Sequence, residues 1–197
     1  MSGHSKWKTI KHKKGLQDAR RGQMFTKLAR AITVAAQKGG PDVEANPMLR
    51  TAVEKARQFS MPKDNIQRAI ERGAGSAGSA GFEELTLEGY GPEGVALVVT
   101  TLTASRNRTI QEIRKIFERH GGSLGEQGSA AYVFRAASRP ATESNIGLKD
   151  PENPLFEVRI EDKAKAEKVL GLVEALDEHD DVQNVLANFD IPEEFIS

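Results

Sequence analysis

The sequence contains no cysteine, and this absence excludes disulfide bonds and thiolate metal sites. It also contains no run of about 18 consecutive apolar residues, so we expect no membrane-spanning helix and no membrane partner. The basic start lacks the apolar segment that a secretory signal needs. We therefore expect a cytoplasmic protein.

The formal net charge is zero at pH 7, but the charges are unevenly distributed along the chain. Residues 1–72 carry 16 Lys or Arg and 6 Asp or Glu, whereas residues 73–197 carry 12 and 22. The two halves therefore stand at +10 and −10. Such an asymmetry is typical of a basic module that binds a polyanion, joined to an acidic module with another task. Mutual attraction of the two halves is the alternative.

Positive charge is densest in the first 38 residues, which hold ten Lys or Arg and a single acid, Asp18. Residues 1–15 show neither helical nor strand periodicity and predict a mobile arm. Closely spaced cations neutralise successive phosphates and release counterions, which favours a nucleic acid over an acidic protein as partner. Within the arm, Trp7 either stacks on an exposed base or anchors the arm to the helices.

The residues predicted to contact nucleic acid lie in this arm and in the helix that follows it. They are Lys6, Trp7, Lys8, Lys11, Lys13, Lys14, Arg20, Arg21, Lys27 and Arg30. On a helical wheel, Arg20 and Lys27 project well away from the apolar stripe of that helix. We therefore expect the apolar side of the helix to pack and the basic side to bind nucleic acid.

Apolar periodicity predicts three helices in the basic half. The first covers residues 16–38, Asn46 and Pro47 open the second as N-cap and first-turn proline, and Pro62 opens a third that Gly73 ends. The run from 73 to 81, rich in Gly, Ser and Ala, predicts a flexible linker.

After the linker the pattern becomes strand-like. Strands are predicted at 85–90, 95–102, 130–135, 156–160 and 182–189, with helices near 107–120 and 162–178. The order predicts an α+β fold, in which a three-helix domain (1–72, including the arm) precedes an α/β sandwich domain (82–197) with a mainly antiparallel sheet.

No motif predicts catalysis, a metal site or a cofactor. The four histidines form no i, i+4 pair, and the acidic cluster at 177–181 is expected to be solvated surface. The glycines at 121–125 match a nucleophile-elbow pattern but follow a helix instead of a strand. We therefore predict a protein that is not an enzyme.

Several segments resemble one known family. They are MSGHSKWKTIKHKKGLQDARRGQMFTKLARAI, MPKDNIQRAIERG, EGYGPEGVAL, SRNRT, HGGSLGEQGSAAYVF and DDVQNVLANFD. In this order they resemble the YebC/PmpR family, to which the mitochondrial translational activators called TACO are related.

The resemblance implies a helical N-terminal domain and two α/β domains, the third inserted into the second. Only 21 residues separate Phe134 from Phe156, so we expect a two-domain form with a shortened loop, 135–155, in place of the inserted domain. Family members are described as transcriptional regulators that bind DNA, and others resemble factors that relieve ribosome stalling.

The resemblance and the charge pattern together predict a regulatory protein that binds nucleic acid, as a DNA-binding transcriptional regulator. The alternative is a translation factor that binds the ribosome or rRNA. The acidic α+β half is the expected docking site for a component of the ribosome or of the transcription machinery.

Overall fold

The computed structural model describes residues 18–75, 81–134 and 154–195, with side chains from residue 21 onward. The described residues form two compact units. The helical unit contains residues 18–84 and Leu102–Arg106, and the sheet unit contains Leu85–Thr101 and the chain from Asn107 onward.

Three helices build the helical unit: α1 (Asp18–Gly39), α2 (Pro47–Gln58) and α3 (Lys63–Gly75). Helix α1 packs against both of the others. Their shared core contains Leu28, Ile32, Leu49, Val53, Met61, Ile66 and Ile70, together with several buried alanines. The spacing of these residues is that of one helical face, which explains why periodicity alone located the helices.

Asn46 connects the end of α1 to the start of α2. Its Oδ1 accepts the N–H of Leu49 at 3.0 Å, while its Nδ2 donates to the carbonyls of Ala35 and Gly40 at 2.8 Å. The side chain is 4% exposed, so these bonds satisfy a buried amide. The predicted N-cap is confirmed, and Asn46 also caps the neighbouring helix.

The predicted end of α3 at Gly73 is wrong, because the helix continues to Gly75. Gly73 lies instead at the closest approach of α1 and α3. A Cβ added there would meet the carbonyl oxygen of Thr33 at 2.4 Å and the Cβ of Ala36 at 2.7 Å. The missing side chain allows the two helices to pack, so this glycine serves packing and does not stop the helix.

The sheet unit is built on four strands in the order β3-β1-β2-β5: β1 (Glu83–Tyr90), β2 (Ala96–Thr103), β3 (Ser123–Leu124) and β5 (Val182–Ala187). A short 3-10 turn, Pro92–Gly94, joins β1 to β2, and a connection this short requires antiparallel strands. β3 pairs antiparallel with β1, and β5 pairs antiparallel with β2. A second, two-stranded sheet pairs β4 (Val158–Arg159) and β6 (Phe189–Asp190) in parallel.

Strand β2 is buried on both faces. One face packs on α4 (Arg106–Arg119) and α5 (Lys163–Asp177), where Leu97 and Val99 meet a core that includes Phe117 and Leu172. The other face, with Ala96 and Val98, is covered by residues 130–134. The predicted α+β fold is confirmed, with three N-terminal helices followed by an α/β region.

Two predicted strands take other forms. Residues 131–134 form a 3-10 turn, Ala131–Phe134, because the N–H groups of Ala130 and Ala131 donate to the buried carboxylate of Glu88 at 2.8 and 2.7 Å. The predicted strand 182–189 is interrupted at Asn188, whose Oδ1 accepts the N–H of Ala96 at 2.7 Å. In both places a side chain replaces a backbone partner.

Replacing Gly73 with alanine is expected to lower the free energy of unfolding by about 1–3 kcal/mol, since the new methyl group collides with the backbone of α1. Denaturant unfolding measures this change. Gly22→Ala is the matched control: Gly22 lies in α1, and nothing surrounds its Cβ position within 4 Å. There alanine should stabilise the helix by roughly 0.5–1 kcal/mol. Equal effects at both positions would contradict the packing role of Gly73.

Candidate nucleic-acid interface

The predicted contact residues of the arm, Lys6, Trp7, Lys8, Lys11, Lys13 and Lys14, lie outside the described residues. Arg20 lies in the first turn of α1, where the structure describes the backbone only. Among the predicted contact residues, the structure therefore describes the side chains of Arg21, Lys27 and Arg30.

These three cations of α1 differ in their surroundings. Arg21 is exposed. Arg30 is half-buried, and its guanidinium carbon lies 5.6 Å from the ring centroid of Phe82, at the distance of a cation–π contact. Lys27 is only 8% exposed, contrary to the expectation that it projects away from the packed face. Val34, seven residues later on the same side of α1, is also buried, so the helix buries a wider face than the apolar stripe indicated.

Sequence reasoning missed three exposed cations around the turn between α2 and α3: Lys55, Arg57 and Lys63. The turn is tightly defined. Ser60 adopts the left-handed conformation at φ 58°, and the N–H of Met61 bonds the carbonyl of Ala56 at 3.0 Å, as in a Schellman motif. Exposure, which the sequence does not show directly, distinguishes these cations from Lys27.

A second cluster joins charged side chains of the sheet unit. Ligand atoms of Glu112, His179 and Asp181 all lie within 4.8 Å of one another. Asp181 is 1% exposed, so the expectation that the acidic cluster is solvated surface is wrong for this residue. Sequence reasoning missed Glu112, because it lies 67 positions before His179.

The hydrogen bonds within this cluster occupy the atoms that a metal ion would need. Oδ2 of Asp181 accepts from Arg108 Nη2 at 2.7 Å and from the hydroxyl of Thr109 at 2.6 Å. Nδ1 of His179 accepts the N–H of Asp181 at 3.1 Å. In the neutral ring the proton is then on Nε2, which donates to Glu112 Oε2 at 3.0 Å. The cluster therefore works as a structural network between α4 and the start of β5.

The guanidinium of Arg108 completes the network. The hydrogen bond to Asp181 and the negative charge of that carboxylate raise the pKa of Arg108 above its ordinary value, against a smaller opposing effect of burial. Its positive charge is thus constant at any physiological pH. A divalent cation would have to displace this charge, which is a further reason against a metal site.

In the described parts of the chain, no helix has both the length and the apolar composition needed to cross a membrane.

Comparison with known proteins identifies related chains. The family model described as the TACO1/YebC protein N-terminal domain matches residues 5–76, and the model described as the TACO1/YebC second and third domain matches residues 82–161. A probable transcriptional regulatory protein of Rubrobacter xylanophilus is 43% identical, with 100% of this chain and 98% of the relative covered. A protein of the same description from Aquifex aeolicus is 40% identical, with the same coverage.

A solved structure is also similar. The crystal structure of a conserved hypothetical protein from Aquifex aeolicus matches with a TM-score of 0.77 and 38% sequence identity, over 91% of this chain and 94% of the other. The alignment to the Rubrobacter protein runs over 247 positions, 50 more than the 197 residues of this chain. That the shorter length falls at loop 135–155 stays a prediction.

Asp181→Asn is expected to lower the free energy of unfolding by about 1–3 kcal/mol, because the buried network loses its negative charge while Arg108 keeps its positive one. Glu167, exposed on α5, provides the control, and Glu167→Gln should change stability by less than about 0.5 kcal/mol. Thermal unfolding with added Mg²⁺ or Zn²⁺ tests the metal alternative. A metal-dependent rise in Tm that disappears in Asp181→Asn would contradict the structural role.

Proposed function

This chain belongs to the TACO1/YebC family, and we propose that it is a non-enzymatic regulatory protein that binds duplex DNA through its basic N-terminal half. The observation that carries the proposal is the separation of charge, +10 in residues 1–72 against −10 in the rest. A half with this excess of cations binds phosphates without needing a catalytic group. The relatives from Rubrobacter xylanophilus and Aquifex aeolicus, each described as a probable transcriptional regulatory protein, support the same role.

The proposed contact residues are those of the arm and α1 together with the exposed turn between α2 and α3. Within α1 we assign direct contact first to Arg21, which is exposed, and then to Arg30, which is half-buried. Lys27 contributes mainly through its charge, because its side chain is 8% exposed. Lys55, Arg57 and Lys63 extend the surface. Phosphate contacts supply affinity and orientation. Specificity for a DNA sequence has to come from base contacts or from DNA shape.

The proposal extends to the organisation of the chain and to its compartment. The basic domain 1–72 binds the DNA. The acidic α+β domain 82–197 is the docking site for a protein of the transcription machinery. We place this activity in the cytoplasm. Catalysis has no part in the proposal, since the His/Asp/Glu cluster holds α4 to the sheet.

We expect log affinity for a duplex DNA to fall with log salt at a slope of about −5, as about six phosphate contacts require. Replacing Lys11, Lys13 and Lys14 with alanine should flatten the slope by about 3. The matched control is the triple change Lys163→Ala, Lys165→Ala, Lys168→Ala, which removes the same charge from exposed positions of α5. Fluorescence anisotropy over a salt series measures both slopes.

Competition with an rRNA fragment distinguishes the two nucleic-acid functions. DNA binding equal to or stronger than RNA binding at physiological salt supports the transcriptional role. An RNA preference that disappears in Trp7→Ala would contradict it and would favour the ribosome-binding alternative, since base stacking by an aromatic ring acts on unpaired bases. Affinity for DNA that does not change with salt would contradict phosphate binding altogether.

A further inference from the structure

Helix α4 concentrates positive charge within the acidic half of the chain. Residues 73–197 contain 12 Lys or Arg, and five of these lie in the 14 residues of α4. The helix carries only two acids, Glu112 and Glu118. A strongly cationic helix in a half with a net charge of −10 is not explained by overall composition.

The cations of α4 fall into different structural groups. Arg108 is bound to Asp181, as described above. Arg114, Lys115 and Arg119 are exposed, and within the described parts of the chain they make no hydrogen bond and no ion pair. At about 100° per residue, Lys115 and Arg119 project within about 40° of each other on the side opposite Ile113, and Arg114 lies on the flank. We call these three residues the α4 cation face.

The ordinary reasons for surface cations on a helix account for little of this face. A cation in the last turn stabilises the helix dipole, which explains Arg119 but neither Arg114 nor Lys115. Glu118 follows Arg114 at i+4, but the two side chains form no ion pair, and this order of charges is the weaker one for such pairs. Within the described parts of the chain, the exposed side chains of the face therefore have no bonding partner and are accessible to an external one.

The helix presents this face from a rigid support. Ile113 and Phe117, on its inner side, are fully buried in the core of the sheet unit. The C-terminal end is closed by the N–H of Gly122, which bonds the carbonyl of Phe117 at 2.8 Å, with Gly121 in the left-handed conformation at φ 76°. The ring of His120 lies against Gly171 of α5. Cations held on an ordered helix lose less conformational entropy on binding than cations on a loop.

The composition of the face distinguishes between kinds of partner. Its remaining exposed residues include Asn107, Gln111 and Glu118. The two amides can hydrogen-bond phosphate oxygens, and the single carboxylate leaves the face with a net positive charge. The exposed large apolar side chains of the described chain, Tyr132, Leu155 and Phe156, lie outside α4. A protein partner would need an apolar centre to its interface, whereas a phosphate backbone needs only cations and polar donors.

We propose that the α4 cation face is a second contact surface for the phosphate backbone of duplex DNA, separate from the basic N-terminal half. This inference rests on the proposed function, because it takes the same ligand. It assigns DNA contacts to a domain that composition alone identifies as acidic.

The test is a triple variant of the full chain, Arg114→Ala, Lys115→Ala and Arg119→Ala, since alanine preserves an exposed helix. Binding of a labelled 30-base-pair duplex is measured by anisotropy from about 50 to 200 mM salt, the range over which phosphate contacts change affinity most. We expect an affinity loss of about tenfold or more at 0.1 M salt and a slope flattened by about 3. The control is the α5 variant with Lys163, Lys165 and Lys168 changed to alanine, with Tm checking the fold of each protein.

The outcomes separate this inference from the proposed function. Normal DNA binding by the α4 variant, with the wild-type slope, would overturn the inference and leave the proposed function intact. Equal losses in the α4 and α5 variants would also overturn it, since net charge alone would explain them. If the unchanged chain binds no DNA, both fail together. The same titration is run with a labelled rRNA hairpin, and a loss confined to the hairpin would overturn the choice of duplex DNA as ligand.

Discussion

The sheet unit depends on one buried carboxylate. Glu88 is 4% exposed in β1, and its two oxygens accept the N–H groups of Gly128, Ala130 and Ala131 at 2.7–2.8 Å. A buried charge is tolerated where hydrogen bonds replace the water that it loses. The carboxylate therefore holds residues 128–134 against the sheet, where Val133 and Phe134 cover β2. This contact therefore covers one face of β2, while α4 and α5 cover the other.

A second buried carboxylate organises the opposite face of the sheet. Asp181 holds Arg108 and Thr109 at the start of α4, so the helix lies with Ile113 and Phe117 in the core. This orientation determines which cations of α4 reach the solvent. Arg108 is used in the network, and the α4 cation face is presented outward. The structural network at the start of the helix and the proposed binding surface further along it thus belong to one helix.

The segments that resemble the family have mostly structural roles in the sheet unit. EGYGPEGVAL contains Glu88, and HGGSLGEQGSAAYVF contains the three N–H donors that Glu88 holds. SRNRT contains Arg108 and Thr109, and DDVQNVLANFD contains Asp181, whose carboxylate accepts hydrogen bonds from both. These segments lie far apart in the chain, but they meet in the fold and hydrogen-bond to each other. Function is then expected on the charged surfaces that these contacts position.

The sequence by itself determined the features that depend on neighbouring residues. The residue pattern located five helices, Asn46 marked the start of one of them, and counting showed the separation of charge. These are local or additive properties, so distant contacts do not change them.

Tertiary structure decided everything that depends on which distant atoms meet. Lys27 and Asp181 became buried although both are charged, and Gly73 became a packing site although it resembled a helix stop. Residues 131–134 do not form the predicted strand, because backbone N–H groups at 130 and 131 donate to Glu88, which lies more than 40 positions earlier. The α4 cation face exists for the same reason, since packing and pairing with distant residues select which cations stay free.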